Sequence, residues 1–352
     1  MGRIVIQNDG ENMKVLIKVL AKIVISIALA TLVLSGFIYM YSFSGVHISN
    51  KTGATDYTWE PKQWKADMAE GFAWLSMDSN GYNNLEPIKT EIDVLMMGSS
   101  HMQAVNVPQN RNVTALLNEA VPEMYFYSIG VAGHKIYNVV NNISSAVEVY
   151  KPRLYVVIET SIVDLDEEKM EQVITGTFPR IKSYDTGLVY TIQKKVPLVK
   201  AIYKALDDWY SNGKNEEEIP ESHVVSENYK SLLDLFLQKA SSSCGDDVSL
   251  IICYHPVTVL NEAGELVCET DPEKLACFRD LCKKNNILFI DMTDDFQNAY
   301  HDSHVLPHGF INTSIGSGHL NEIGHRLIAE RIEHTLSELP DPEGETRTED
   351  ED

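Results

Sequence analysis

Five short apolar runs constrain this chain most: Ile92 to Met97, Tyr125 to Ile129, Leu154 to Glu159, Val248 to Tyr254 and Ile287 to Asp291. Each is too short for a helix and nearly free of charge, so each reads as a buried strand. Helical patterns separate them, at Val113 to Ala120, Ile136 to Tyr150, Val196 to Tyr210, Glu227 to Ser241, Pro272 to Asn285 and Leu320 to Leu336. Strands alternating with helices imply βαβ units, and so a flavodoxin-like, doubly wound parallel sheet of about five strands with helices on both faces. About 90 residues between the third and fourth runs exceed a normal crossover and predict a helical insertion over about 165–245, with an exposed loop at Ser211 to Glu221.

Before the first run, residues 23–46 carry no charge and are long enough to span a bilayer, which needs roughly 20 residues. Arg3, Lys14, Lys18 and Lys22 precede this stretch, and the first charge beyond it is Lys51. The positive-inside rule therefore predicts a cytoplasmic segment 1–22, a transmembrane helix 23–46 and an extracytoplasmic remainder at the cell membrane. A cleaved signal peptide is the competing reading, because Ala28-Leu29-Ala30 has the small-x-small form of a cleavage site. Residues 47–90 read as a stalk with a possible helix from Pro61 to Leu75, residues 91–339 as the globular domain, and 340–352 as a disordered acidic tail.

Fifty-one acidic against 29 basic side chains give a net charge of -22, which repels phosphate backbones and excludes a nucleic acid partner. The five cysteines contain no close C-x-x-C pair; Cys268 with Cys277, or Cys277 with Cys282, are the near-sequence options for a disulfide outside the cell. Asn112, Asn142 and Asn312 each begin a glycosylation sequon.

In an open parallel sheet, ligands bind beyond the carboxyl ends of the strands. Those ends carry Gly98-Ser99-Ser100-His101, Gly130 to His134 and Glu159-Thr160-Ser161, and a His-rich loop leads to Gly316 to His325 before the last helix. A serine hydroxyl on a small-residue turn beside helix amides suits an activated nucleophile, and His319 is a candidate base. Glu159 reads either as a buried acid with a raised pKa or as a helix-capping partner. His301, Asp302, His304, His308, His319 and His325 offer ligands for a zinc site, but there is no H-E-x-x-H and Pro307 breaks helical spacing, so the expectation is no metal and no other cofactor.

Across roughly residues 91 to 336 the chain resembles the SGNH (GDSL-like) hydrolase family. Val94 to Ser100 is similar to the strand and Gly-Asp-Ser block, which implies Ser100 as nucleophile with Ser99 in the Asp place. Ser128 to Gly133 resembles Asn-x-Gly-x-x-Gly, implying the Gly133 amide beside that of Ser100 as oxyanion donors, and His319 to His325 matches His-Leu-Asn-x-x-Gly-His. Two positions depart from the family pattern. Val163 replaces the third-block Asn, whose lost donor costs about 3 kcal/mol. Gly316 stands where an acid normally precedes the catalytic His, so either Ser100 and His319 act as a dyad or an acid from elsewhere, with Asp302 the candidate, orients the imidazole.

The Gly-Ser-Ser turn and the single anchor also look like SGNH-like proteins of cell-envelope polymer modification, such as those of alginate acetylation and teichoic acid D-alanylation. That resemblance implies an esterase or O-acyltransferase acting on acylated carbohydrate or a cell-wall polymer, the transferase form working beside a membrane-bound O-acyltransferase. An inactive scaffold that keeps the fold is the alternative.

Overall fold

The computed structural model describes residues 9–41, 46–47, 58–59, 61–62, 64–67, 70–179, 225–261 and 263–339. The helix expected at Val196 to Tyr210, the loop at Ser211 to Glu221 and the acidic tail lie outside the described residues. Helix α1, Asp9–Tyr41, begins well before the uncharged stretch. Its segment Met13–Gly36 has 24 residues with mean hydropathy 2.3, long and apolar enough to cross a membrane.

The second unit is the α/β domain. Strands β1 (Val94–Met97), β2 (Phe126–Ser128), β3 (Tyr155–Thr160), β4 (Ser249–Tyr254) and β5 (Leu288–Asp291) form where the apolar runs stand. They build one sheet in the order β5-β4-β3-β1-β2, with every pair parallel. The register sets Val94 opposite both Phe126 and Tyr155, and Tyr155 opposite Ser249.

Alternation along each strand sends neighbouring side chains to opposite faces. Leu95 and Met97 join a core with α4 (Ile136–Tyr150), α5 (Glu167–Thr175), α6 (Glu227–Ser242) and α7 (Pro272–Lys284). Val94 and Met96 join another with α3 (Val113–Ala120), α8 (Thr293–Ser303) and α9 (Glu322–Glu338). Burial on both faces explains why these strands read as continuous apolar runs rather than alternating ones. The four-residue α2 (Ser100–Gln103) follows β1 directly.

Part of the expected stalk belongs to this domain. Leu75 and Met77 are buried, and the helix expected from Pro61 to Leu75 is instead an antiparallel hairpin, Trp64–Asp67 with Ala73–Ser76. Its pattern has period two, with Ala73 and Leu75 inward and Trp64 and Trp74 outward, so the helical reading fails on periodicity. Further along, Asn84 brackets the edge strand β2 by accepting from the Ser128 N–H at 2.8 Å and donating to its carbonyl at 2.9 Å. All five cysteines are free thiols. No sequon asparagine presents an exposed, unpaired amide: that of Asn112 donates to the Asn83 carbonyl at 3.3 Å, Asn142 is buried, and that of Asn312 donates to the Gly71 carbonyl at 3.0 Å.

Candidate active site

The chain leaves β1 outward to β2 and then crosses back to β3 on the other side, so the strand order reverses between β1 and β3. The crevice beyond those carboxyl ends is the topological switch point of the sheet. Ser100 sits there as the first residue of α2, with Ser99 as the helix cap whose hydroxyl accepts from the His101 N–H at 3.2 Å.

His319 arrives on a short antiparallel strand, Ile315–Leu320, paired with His308–Gly309. The rest of its motif anchors that strand. Asn321 caps α9 by accepting from the Ile323 and Gly324 N–H groups, and its amide donates to the Leu306 carbonyl at 2.7 Å. A side chain at Gly324 would collide with the Pro307 carbonyl. The result is a 2.8 Å hydrogen bond between His319 Nε2 and Ser100 Oγ.

Glu70, from the hairpin turn, completes the line. Its carboxylate is hydrogen-bonded to His319 Nδ1 through Oε2 and accepts from the His319 backbone N–H at 2.7 Å through Oε1. Gly318, at φ +92, has no room for a Cβ because the Glu70 carboxylate occupies the space. The hairpin turn is itself pinned: Asn312 accepts from the Gly71 N–H at 2.9 Å and donates to the Gly71 carbonyl at 3.0 Å, while the Asn106 amide donates to the Glu70 carbonyl at 2.9 Å. Glu70 carries one fifth of its side-chain surface exposed and His319 one third, so the pair is partly shielded from solvent.

The acid that faces His319 is therefore Glu70 and not Asp302, which lies near the end of α8 with its exposed carboxylate bonded to His301 Nδ1 at 2.8 Å. Nor does an acid stand at Gly316, which is packed against Leu260 and Leu306. Sequence reasoning missed Glu70 because it lies 249 residues from His319 in a segment read as stalk. The available signal was the Glu70-Gly71 turn followed by period-two alternation, a hairpin pattern.

A cleft of about 200 Å³ opens beside Ser100, lined by Gly133, Lys135, Ile136, Thr160, Ser161 and Ile162 among others. Nothing lies within 4 Å of where a Gly133 side chain would start, so the chain at Gly133 borders open space. Val163 is absent from the lining because its side chain is in the core. Its carbonyl accepts from the Tyr229 hydroxyl at 3.1 Å.

Glu159, the penultimate residue of β3, lies beneath the Ser99-Ser100 turn. Burial pushes its pKa up, but the His255 hydrogen bond, the neighbouring His255 and His101 imidazoles and the Ser99 amide outweigh this, holding it below the usual carboxylate range. The raised-pKa reading is overturned, and the capping reading fits, since Glu159 accepts from the Ser99 N–H at the start of α2. Burial first, then neighbouring imidazoles, lowers His308 and His325 to about 3 and His101 well below its ordinary value.

The residues set out as zinc ligands do not come together as one ligand set. His301 and Asp302 are exposed, His308 pairs with the Thr258 hydroxyl at 2.8 Å, and His319 faces Ser100. Among the described residues no group of three or more His, Cys, Asp or Glu could hold a metal ion.

The fold and this constellation define an α/β protein with a serine, histidine and glutamate joined at the switch point of a five-stranded parallel sheet. Its structural neighbours are G-D-S-L lipolytic proteins and acetyl esterases. A G-D-S-L lipolytic protein from Veillonella parvula is similar with 14% identity and TM-score 0.41, over 70% of this chain and 100% of that one. An acetyl xylan esterase is similar with 17% identity and TM-score 0.40, again over 70% and 100%. A two-domain esterase active on acetylated mannans has 13% identity and TM-score 0.38, covering 74% of this chain and 52% of that one, so the match spans about half of its length. No family model matches the chain, and no curated protein matches it.

Proposed function

We propose that this protein is a membrane-anchored, extracytoplasmic serine acyl-ester hydrolase or O-acyltransferase acting on cell-surface polysaccharide or a related polymer. The observation that carries the reading is the unbroken hydrogen-bonded line from Ser100 Oγ through both nitrogens of His319 to Glu70. A paired and oriented hydroxyl at the mouth of a cleft weighs against the inactive-scaffold alternative.

In this mechanism Ser100 Oγ attacks the ester carbonyl while its proton passes to His319 Nε2, and Glu70 stabilises the imidazolium through Nδ1. The oxyanion accepts from the Ser100 and Gly133 amides. Collapse breaks the C–O bond, His319 protonates the departing alcohol, and the acyl group remains on Ser100. His319 then deprotonates the acceptor, which is water for hydrolysis or a sugar hydroxyl for transfer, and the second tetrahedral species returns Ser100. The membrane placement draws on the Met13–Gly36 segment, with Arg3 before it and Lys14, Lys18 and Lys22 in its first turns kept on the cytoplasmic side. A membrane-bound O-acyltransferase is the partner this arrangement implies for the transferase form.

The test is turnover of a small acetyl ester by the full chain in detergent, beside Ser100→Ala and His319→Ala with circular dichroism of each. Activity should vanish in both folded variants. A wild-type chain that neither turns over the ester nor takes a phosphonate on Ser100 would leave the scaffold reading.

A further inference from the structure

One buried carboxylate next to the nucleophile is not used by the Ser100, His319 and Glu70 set. The Glu159 side chain is 1% exposed and the His255 side chain 0%, and they meet through Glu159 Oε1 and His255 Nε2 at 2.9 Å. The other oxygen, Oε2, accepts from the Ser99 N–H at 2.8 Å and from the Ser99 hydroxyl at 2.9 Å. Ser99 Oγ in turn accepts from the His101 N–H. The amides on both sides of Ser100 are thus tied, one directly and one through a hydroxyl, to a single carboxylate rooted in the neighbouring strand. Gly98 has no room for a side chain because that carboxylate and Met102 fill the space, so the turn is cut to fit the acid.

Burying a carboxylate away from water is costly unless hydrogen bonds satisfy it, and it is seldom a source of stability in itself. Here those hydrogen bonds all run to Ser99 and His255, so what the buried carboxylate supplies is a fixed geometry. We propose that Glu159, braced by His255, is a positioning residue that sets the Ser99-Ser100-His101 turn, and with it the direction of the Ser100 hydroxyl and amide. This deepens the hydrolase or transferase reading and rests on Ser100 as nucleophile. Glu159 acts through Ser99 and touches no reacting atom. Its effect should therefore fall on kcat rather than on KM, because displacement of a reacting group by about 1 Å can cost on the order of 100-fold.

Glu159→Gln tests this, because the amide keeps the size but cannot accept from Ser99 and from a His255 N–H with both of its ends. In the full chain in detergent, amide hydrogen exchange across residues 99–103 should accelerate about 10-fold or more, while exchange in β4 and α9 stays as in the wild type. Turnover of a small acetyl ester should show kcat lowered roughly 10- to 100-fold at unchanged KM. If Glu159→Gln does not fold, Ser99→Ala leaves the Glu159–His255 pair in place and should move the same readouts in the same direction by less. Unchanged local exchange in a folded variant, or exchange that rises equally across the whole sheet, overturns the proposal. A wild-type chain without esterase activity would sink the enzymatic reading alone, because the exchange at residues 99–103 still decides whether Glu159 holds the turn.

Discussion

The two sides of the candidate site are built differently. Ser100 stands on the sheet: β1 ends, a capped turn follows, and β3 supplies a buried brace beneath it. Glu70 stands outside the sheet, on the turn of a hairpin that precedes every strand of the α/β order and is held by side chains of distant segments. The sheet-borne half depends on strand order, which any chain of this class has. The hairpin-borne half depends on Asn106, Asn312 and Gly318, each of which serves this one contact. An acid in such a position needs only to reach Nδ1 of the histidine.

The contrast should be visible in the sizes of mutational effects. Ser100→Ala and His319→Ala remove the nucleophile and the base, and steady-state kinetics should show at least about a 1,000-fold loss of kcat. Glu70→Gln leaves that pair in place but removes the charge that orients and stabilises the imidazolium, so a loss of about 100- to 10,000-fold is expected. A Glu70→Gln variant as active as the wild type would make Ser100 and His319 a dyad, with the hairpin merely a cover.

Val163→Asn restores the residue type of the resembled family at a position that faces the core. It should lower stability by about 1–3 kcal/mol in denaturant unfolding without raising kcat, and a gain in activity would mean that this wall of the cleft rearranges. Asn312→Ala removes the clasp on Gly71 and should lower kcat several-fold while the unfolding midpoint stays near that of the wild type. At the bottom of the scale, Asp302→Asn should change neither activity nor stability measurably, since its partner His301 is on the surface.

Acid should act first on the buried histidines around the site. Unfolded imidazoles titrate near 6.5, whereas burial and neighbouring imidazoles lower His308 and His325 to about 3 in the folded chain. Between those values the unfolded chain binds more protons, so stability is fully present above about pH 6.5 and falls as the pH drops toward 3. His101 adds to the same slope. The contribution of Glu159, whose pKa is also depressed, is lost lower still, below the ordinary carboxylate range. Thermal melts should show a midpoint that falls from pH 7 to pH 5, with a shallower fall in His325→Gln.

Much of the sheet was legible because burial on both faces writes itself as continuous apolar runs, and the five runs match the five strands to within two residues at either end. Helices α3 and α4 were legible to the residue, their amphipathic period ending at clear boundaries. Ser100 and His319 stood out for a related reason: a strand end and a capped helix start are local patterns, and the sheet topology then brings them together. The hairpin was misread because its alternation is short and was set against a helical pattern over the same residues. No local pattern separates Asp302 from Glu70 as the acid that faces His319, because that contact is made only when the chain folds back on itself.

The sequence by itself determined the class of fold, the apolar helix at the start and two of the three side chains in the hydrogen-bonded line, because each is encoded by periodicity or by a motif a few residues long. Only the tertiary structure decided which acid faces His319, that Val163 turns into the core, and that Glu159 lies under the nucleophile turn. Those are contacts between residues tens to hundreds of positions apart, and no local pattern encodes them, because they are set by where the strands and the hairpin end up in space.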